Sequence, residues 1–194
     1  MLMRRVLGGV VALVCVAALS SCSVVPLGPN GTYLDPTKQA DVEMGRIADA
    51  INHHDAGALK KLFSKSAREK AVGLDSGLRA LLSAFPSGFT SWKQIDGSPG
   101  EDIDNSYGKE TVFLGGDCEV HANEKVYELY FAYYPVNQLE DPNNVGLNAI
   151  GVAPYSKDAY TPSGAKKPLD AWASQFRIKD GEAAGDPGVF ISQK

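Results

Sequence analysis

The hydrophobic period of this chain changes once, at Pro86, and this change limits the possible folds more than any other feature. Before Pro86, apolar residues recur every three or four positions, as in amphipathic helices, and after it they alternate with polar residues, as in strands. A block of helices followed by a block of strands is typical of α+β domains, in which helices cover one face of a sheet. The sequence therefore predicts N-terminal amphipathic helices packed on a curved antiparallel sheet.

Capping residues divide the helical block into shorter helices. Asp35 is placed to cap a first helix, and Asp55 is placed to cap a second. Ser66 and Glu69 have the spacing of a capping box, which predicts that a third helical stretch begins there. Gly73 favours a break within this stretch, because glycine weakens a helix interior.

The strand block contains a predicted hairpin. Residues 109–120 and 125–134 are its two arms, since the second arm is rich in aromatic and β-branched residues. Adjacent glycines at 115 and 116 predict a bulge or bend that curls the sheet. Alternation along the second arm predicts four core-facing residues: Tyr127, Leu129, Phe131 and Tyr133.

One loop and two further strands are also predicted from the sequence. Residues 101–104, three of which are acidic, follow two glycines and a proline, which predicts an exposed loop. Strands are predicted at residues 145–153 and, after Pro187 and Gly188, at 189–191.

The N-terminus has the three parts of an export signal. Arg4 and Arg5 precede an apolar run, residues 6–19, and Leu19-Ser20-Ser21-Cys22 resembles the lipobox of bacterial lipoproteins. That run would extend about 21 Å as a helix, which is short of the roughly 30 Å hydrocarbon core. The resemblance implies that Cys22 receives a diacylglyceryl group and that the leader is removed before it. An uncleaved anchor and ordinary cleavage after Ser20 are the alternatives.

These observations predict three regions and a location. Residues 1–21 are a lipoprotein signal peptide, residues 22–35 are a tether rich in proline and glycine, and residues 36–194 are a single α+β domain. The protein is expected on the extracytoplasmic face of the cell membrane, held there through the lipid on Cys22.

Charge and cysteine content exclude several classes of partner and site. Loss of Arg4 and Arg5 with the leader changes the formal net charge from −4 to −6, which does not favour nucleic acid as a partner. Cys118 would then be the only unmodified cysteine, so no internal disulfide is expected. No Cys or His pair has zinc spacing, and no metal or other cofactor is predicted.

An ordered set of segments resembles a bacterial lipoprotein family, domain of unknown function 5104. After the lipobox, the set comprises Ala50-Ile51 with residues 55–64, then Tyr107-Gly108-Lys109, and finally residues 141–146. The resemblance implies that the protein is a lipoprotein of the cell envelope, and the family has no established activity. The order of helices and sheet is also similar to the nuclear-transport-factor-2-like, or cystatin-like, superfamily, in which a bent antiparallel sheet wraps helices into a cone.

A cone of this kind serves binding modules, enzymes and interaction proteins alike. The sequence predicts a noncatalytic module that binds a small apolar ligand or a protein, with four aromatic residues as candidates for the lining: Trp92, Tyr127, Phe131 and Tyr133. Packing in the core is the other interpretation of all four.

Two other functions remain open from the sequence. An isomerase or cyclase of the same fold would use His121 as its acid or base. An envelope assembly or immunity-type protein would bind another protein through an exposed apolar patch around Trp172 and Phe176.

Overall fold

A computed structural model describes residues 35–96, 98–155, 178–179, 182–183 and 188–191. The predicted signal peptide, Cys22, nearly all of the tether and the predicted patch around Trp172 and Phe176 lie outside the described residues.

Four helices occupy the first part of the described chain: α1 (Pro36–Asn52), α2 (Ala56–Leu62), α3 (Lys65–Lys70) and α4 (Leu74–Ala84). The first two begin as predicted, because the Asp35 carboxylate accepts from Lys38 N and the Asp55 carboxylate accepts from Ala58 N. The predicted break is also present, since Gly73 has a left-handed conformation and precedes α4.

The predicted capping box is wrong by two residues. The N-cap of α3 is Ser64, whose hydroxyl oxygen accepts from Ala67 N at 2.9 Å. A tertiary contact decides this, because Ser64 N donates to Leu147 O at 2.8 Å and so holds Ser64 in an extended conformation. Ser66 is buried in the first turn of the helix.

Eight strands follow in the described residues: β1 (Ser91–Gln94), β2 (Gly100–Ser106), β3 (Lys109–Ala122), β4 (Lys125–Asn137), β5 (Gly146–Pro154), β6 (Ile178–Lys179), β7 (Glu182–Ala183) and β8 (Gly188–Ile191). Six of them form one open sheet in the order β1-β3-β4-β5-β8, and β2 pairs with β3 beside β1. The remaining two, β6 and β7, pair with each other. The α+β class is confirmed.

Two details of the sheet differ from the prediction. Residues 101–104 belong to strand β2, not to a loop, because β3 supplies a full antiparallel partner for a segment of low strand propensity. Its exposed acidic side chains suit an edge strand. The sheet is also mixed and not purely antiparallel, since β8 pairs in parallel with β5.

Each of two tight turns contains two successive residues with positive φ. The predicted hairpin turns at Asn123 and Glu124, which have φ of 49° and 63°. The turn between β2 and β3 places Tyr107 and Gly108 at φ of 53° and 75°. Two successive residues of positive φ suit the right-handed twist of the strands that they join.

Gly115 and Gly116 do not form the predicted bulge. The register shift lies before them, between Val112 and Leu114, and both glycines pair regularly with β4. They provide space for aromatic rings: a Cβ on Gly116 would lie 2.1 Å from the ring of Phe131, and one on Gly115 would lie 3.1 Å from Tyr130 Oη. The Phe131 ring therefore requires glycine at position 116, and Tyr130 leaves little space for a side chain at position 115.

The core lies between the helices and one face of the sheet. The face of β4 predicted to meet the core does so, with Leu129, Phe131 and Tyr133 buried and Tyr127 packed against the cluster. Cys118 is buried on the same face of β3, and burial raises the pKa of its thiol to about 12. Within the described residues, no helix is both long enough and apolar enough to cross a membrane.

Candidate ligand-binding cleft

A cleft of about 910 Å³ opens where α4 faces the adjoining ends of three strands. Its volume falls within the range of roughly 300–1,000 Å³ that is usual for small-molecule sites. The strand residues that line it come from the start of β4, the end of β5 and β8: Lys125, Val126, Tyr127, Val152, Pro154, Val189 and Ile191.

Helix α4 forms the opposite wall of the cleft. Two rows of side chains run along it, one facing the core and one facing the cleft. Its leucines point into the core and are buried: Leu74, Leu78, Leu81 and Leu82. A second stripe of small residues faces the cleft: Gly77, Ala80, Ser83 and Ala84. Short side chains on this stripe leave space between the helix and the sheet.

Gly77 sets the distance between α4 and β8. A Cβ at this position would lie only 2.9 Å from Val189 Cβ, so the helix lies closer to the strand than a side chain at position 77 would allow. Val189 is thereby held as part of the cleft wall.

Tyr127 contributes the aromatic surface of the cleft. Its ring meets Phe85 edge-on at a centroid distance of 5.0 Å, and Phe85 meets Phe89 in the same way at 4.7 Å. Such edge contacts add to the stabilisation from burial alone. The core therefore holds the Tyr127 ring in place while one side of it faces the cleft.

The structure separates the four aromatic candidates. Tyr127 lines the cleft, whereas Phe131 and Tyr133 are buried in the core and Trp92 packs against it. The small residues of α4 were not anticipated, although their spacing of three and four positions was visible in the sequence.

His121 lies outside the cleft lining, on the other face of the sheet. Its neighbours Val120 and Ala122 point into the core, so alternation turns His121 away from it. Its Nε2 lies 2.8 Å from Glu119 Oε1, and Lys93 Nζ lies 3.4 Å from the same oxygen. The hydrogen bond with His121 is the main cause of the lowered pKa of Glu119.

A buried carboxyl group lies on α1. Glu43 is 2% exposed, and its Oε2 accepts from Arg46 at 3.1 Å. Burial raises the pKa of Glu43 to about 7, and the Arg46 charge offsets only part of this effect. On the preceding turn, Gln39 Oε1 is buried without a hydrogen-bond donor among the described residues. The position of Glu43 on the apolar stripe of α1, between Ala40 and Ile47, was the sequence signal for this burial.

Two segments that carry the family resemblance meet in space. Ser64, after α2, donates from its hydroxyl to Asn144 Oδ1 at 3.1 Å, across eighty positions of sequence. Asn144 ends a 3-10 turn, Pro142–Asn144, whose N-cap Asp141 accepts from Asn143 N. These contacts hold the start of β5 against the helices.

Gly146 permits the closest part of this contact. It has φ of +124°, and a Cβ would lie 2.9 Å from Ser64 N and 3.0 Å from Leu62 O. The backbones of β5 and the α2–α3 junction therefore approach more closely than a side chain allows.

Metal ligands are not clustered in the described residues, where no three His, Cys, Asp or Glu side chains converge.

A family model described as "Domain of unknown function (DUF5104)" matches residues 46–157 of the chain. The match runs from the middle of α1 through the end of β5, and it includes the contact between Ser64 and Asn144 and most of the cleft lining. No curated protein matches the chain.

Proposed function

The chain belongs to the family described as domain of unknown function 5104, and we propose that it is a lipid-anchored protein of the cell envelope whose extracytoplasmic domain binds a small apolar ligand. The observation that carries the proposal is the cleft of about 910 Å³ between α4 and the sheet, lined mainly by aliphatic side chains. Concave apolar sites with few polar groups are the usual form of small-molecule sites.

The residues that line the cleft favour ligand binding over catalysis. Among the described residues, the ionisable groups that line the cleft are Lys125 and Tyr127. The candidate acid or base His121 lies on the opposite face of the sheet, and Glu43 lies outside the lining. Ligand affinity would come from burial of apolar surface, at about 25 cal/mol per Å².

The fold that we propose is the cone of the nuclear-transport-factor-2-like superfamily. It is supported by the helices on one face of the sheet, by the long β3 and β4, and by the register shifts at Val112/Leu114 and Ala132/Tyr133. Such irregularities increase the local twist and bend of strands. In this architecture, the cleft would be the open mouth of the cone.

The anchor that we propose is a lipid on Cys22, supported by the lipobox and the short apolar leader. Wild-type protein is expected to begin at Cys22 and to carry the mass of a diacylglyceryl group, with further acyl chains on the new amine. Cys22→Ser is expected to abolish the lipid mass, because serine lacks the thiol that accepts it. Intact-mass analysis of membrane extracts measures both.

Cys15→Ser is the matched control, since Cys15 is removed with the leader and the lipid mass should be unchanged. An unmodified Cys22 on a chain that retains residues 1–21 would identify an uncleaved anchor. An unmodified Cys22 on a chain that begins at Ser21 would identify ordinary cleavage. Either result contradicts the lipid anchor.

Ligand binding is tested by filling the cleft. Ala80 is exposed on the cleft-facing stripe of α4, so Ala80→Trp is expected to occupy the cleft without disturbing the leucines that face the core. Organic extracts of purified wild-type protein should contain a small apolar molecule that is reduced at least tenfold in Ala80→Trp, as expected when a bulky ring excludes the ligand. Mass spectrometry of the extracts measures the ratio.

Arg79→Trp adds the same ring at the neighbouring exposed position, outside the cleft lining, and should leave the extracted ligand unchanged. Equal extracts from wild-type protein and both variants would show that the molecule is carried elsewhere, and the binding proposal would then be rejected.

A further inference from the structure

The charge on the cleft lining is concentrated at one position. Lys125 is exposed at the start of β4, and among the described residues of the lining it is the one lysine, arginine, aspartate or glutamate. Within the described part of the chain, no carboxylate lies within 4 Å of its ammonium group. The ammonium is therefore not neutralised by a partner in that part of the protein.

Two other polar side chains lie in the described part of the lining, Ser83 and Tyr127, and each has a hydroxyl group that can donate or accept a hydrogen bond. The Ser83 hydroxyl already donates to Arg79 O at 2.8 Å, within α4. Tyr127 is held by its edge contact with Phe85, with the ring as its contribution to the apolar wall. Lys125 thus combines a positive charge with an aliphatic stem at the edge of an apolar surface.

From this arrangement, which rests on the proposed binding function, we infer that the ligand is a single-chain amphiphile with an anionic headgroup. The chain lies between the small residues of α4 and the aliphatic residues of β5 and β8, and the headgroup pairs with Lys125. Burial removes the chain from water, and the charge pair fixes its direction in the cleft.

The net charge of the whole protein does not favour an anionic ligand. The chain is acidic, with a formal net charge of −4. Long-range attraction would therefore favour cationic amphiphiles over anionic ones. A preference for an anionic headgroup would have to come from Lys125 itself.

Photoactivatable C16 probes with a terminal carboxylate, alcohol or amine test the inference on the intact protein in lipid nanodiscs. Peptide mass spectrometry measures the yield of adducts on α4, β5 and β8. The carboxylate probe is expected to label these peptides about fivefold more than the alcohol probe does, as for one exposed charge pair. Lys125→Gln should reduce carboxylate labelling to the alcohol level, and Lys125→Arg should retain the preference.

Lys109→Gln is the control, because Lys109 is exposed on β3 outside the cleft lining, and the preference should be unchanged. Equal labelling of the cleft by carboxylate and alcohol probes, or stronger labelling by the amine, would overturn the anionic headgroup while leaving apolar binding intact. Absence of adducts on the cleft peptides from all three probes would overturn the proposed function as well.

Discussion

Gly146→Ala is expected to lower the free energy of unfolding by about 4 kcal/mol, from a strained backbone and a steric clash together. Gly146 has φ of +124°, where side chains are rarely accommodated, and the new Cβ would meet Ser64 N and Leu62 O at 2.9 and 3.0 Å. Both are backbone atoms, so neither can rotate away. Denaturant unfolding followed by circular dichroism measures the loss.

Gly108→Ala is the control for a positive φ without a steric clash. Gly108 also has positive φ, at +75°, but a Cβ there meets nothing within 4 Å. Only the backbone cost of about 1 kcal/mol is expected at this position. Equal losses in the two variants would contradict a close contact between β5 and the α2–α3 junction.

Glu43→Gln is expected to stabilise the protein above pH 7 by roughly 3 kcal/mol, because one pKa unit corresponds to about 1.4 kcal/mol. Burial raises the pKa of Glu43 from 4.5 to about 7, so the folded protein retains a proton that the unfolded chain has released. The wild-type stability contributed by this group is therefore full below pH 4.5 and is lost as the pH rises to about 7. Glutamine is neutral throughout and does not undergo this loss.

Unfolding free energies of the wild type and the variant at pH 4.5, 6 and 8 measure the effect. The two proteins should be nearly equal at pH 4.5 and should diverge as the pH rises. Glu69→Gln changes an exposed glutamate on α3 and should follow the wild type at every pH. A constant difference between Glu43→Gln and the wild type across the range would exclude a buried, proton-retaining Glu43.

Elements with local signals were predictable from the sequence. Asp35 and Asp55 cap their helices as expected, since an N-cap bond joins residues only three positions apart. The hairpin of β3 and β4 was predictable for a similar reason, because a short turn and alternating side chains define its register.

Elements that depend on a distant partner were predicted less well. Ser64 rather than Ser66 caps α3 because Leu147, far along the chain, holds its backbone. Acidic β2 is a strand because β3 pairs with it along its whole length. Gly116 is required by Phe131 on the neighbouring strand, which a local interpretation as a bulge did not reveal.

The sequence by itself therefore determined the helical and strand blocks, most of the helix caps and the core face of β4, because periodicity and capping act over a few residues. Only the tertiary structure decided the cleft, since its walls come from α4, β4, β5 and β8. It likewise decided the burial of Glu43 and the pairing of Ser64 with Asn144, which depend on residues that folding alone brings together.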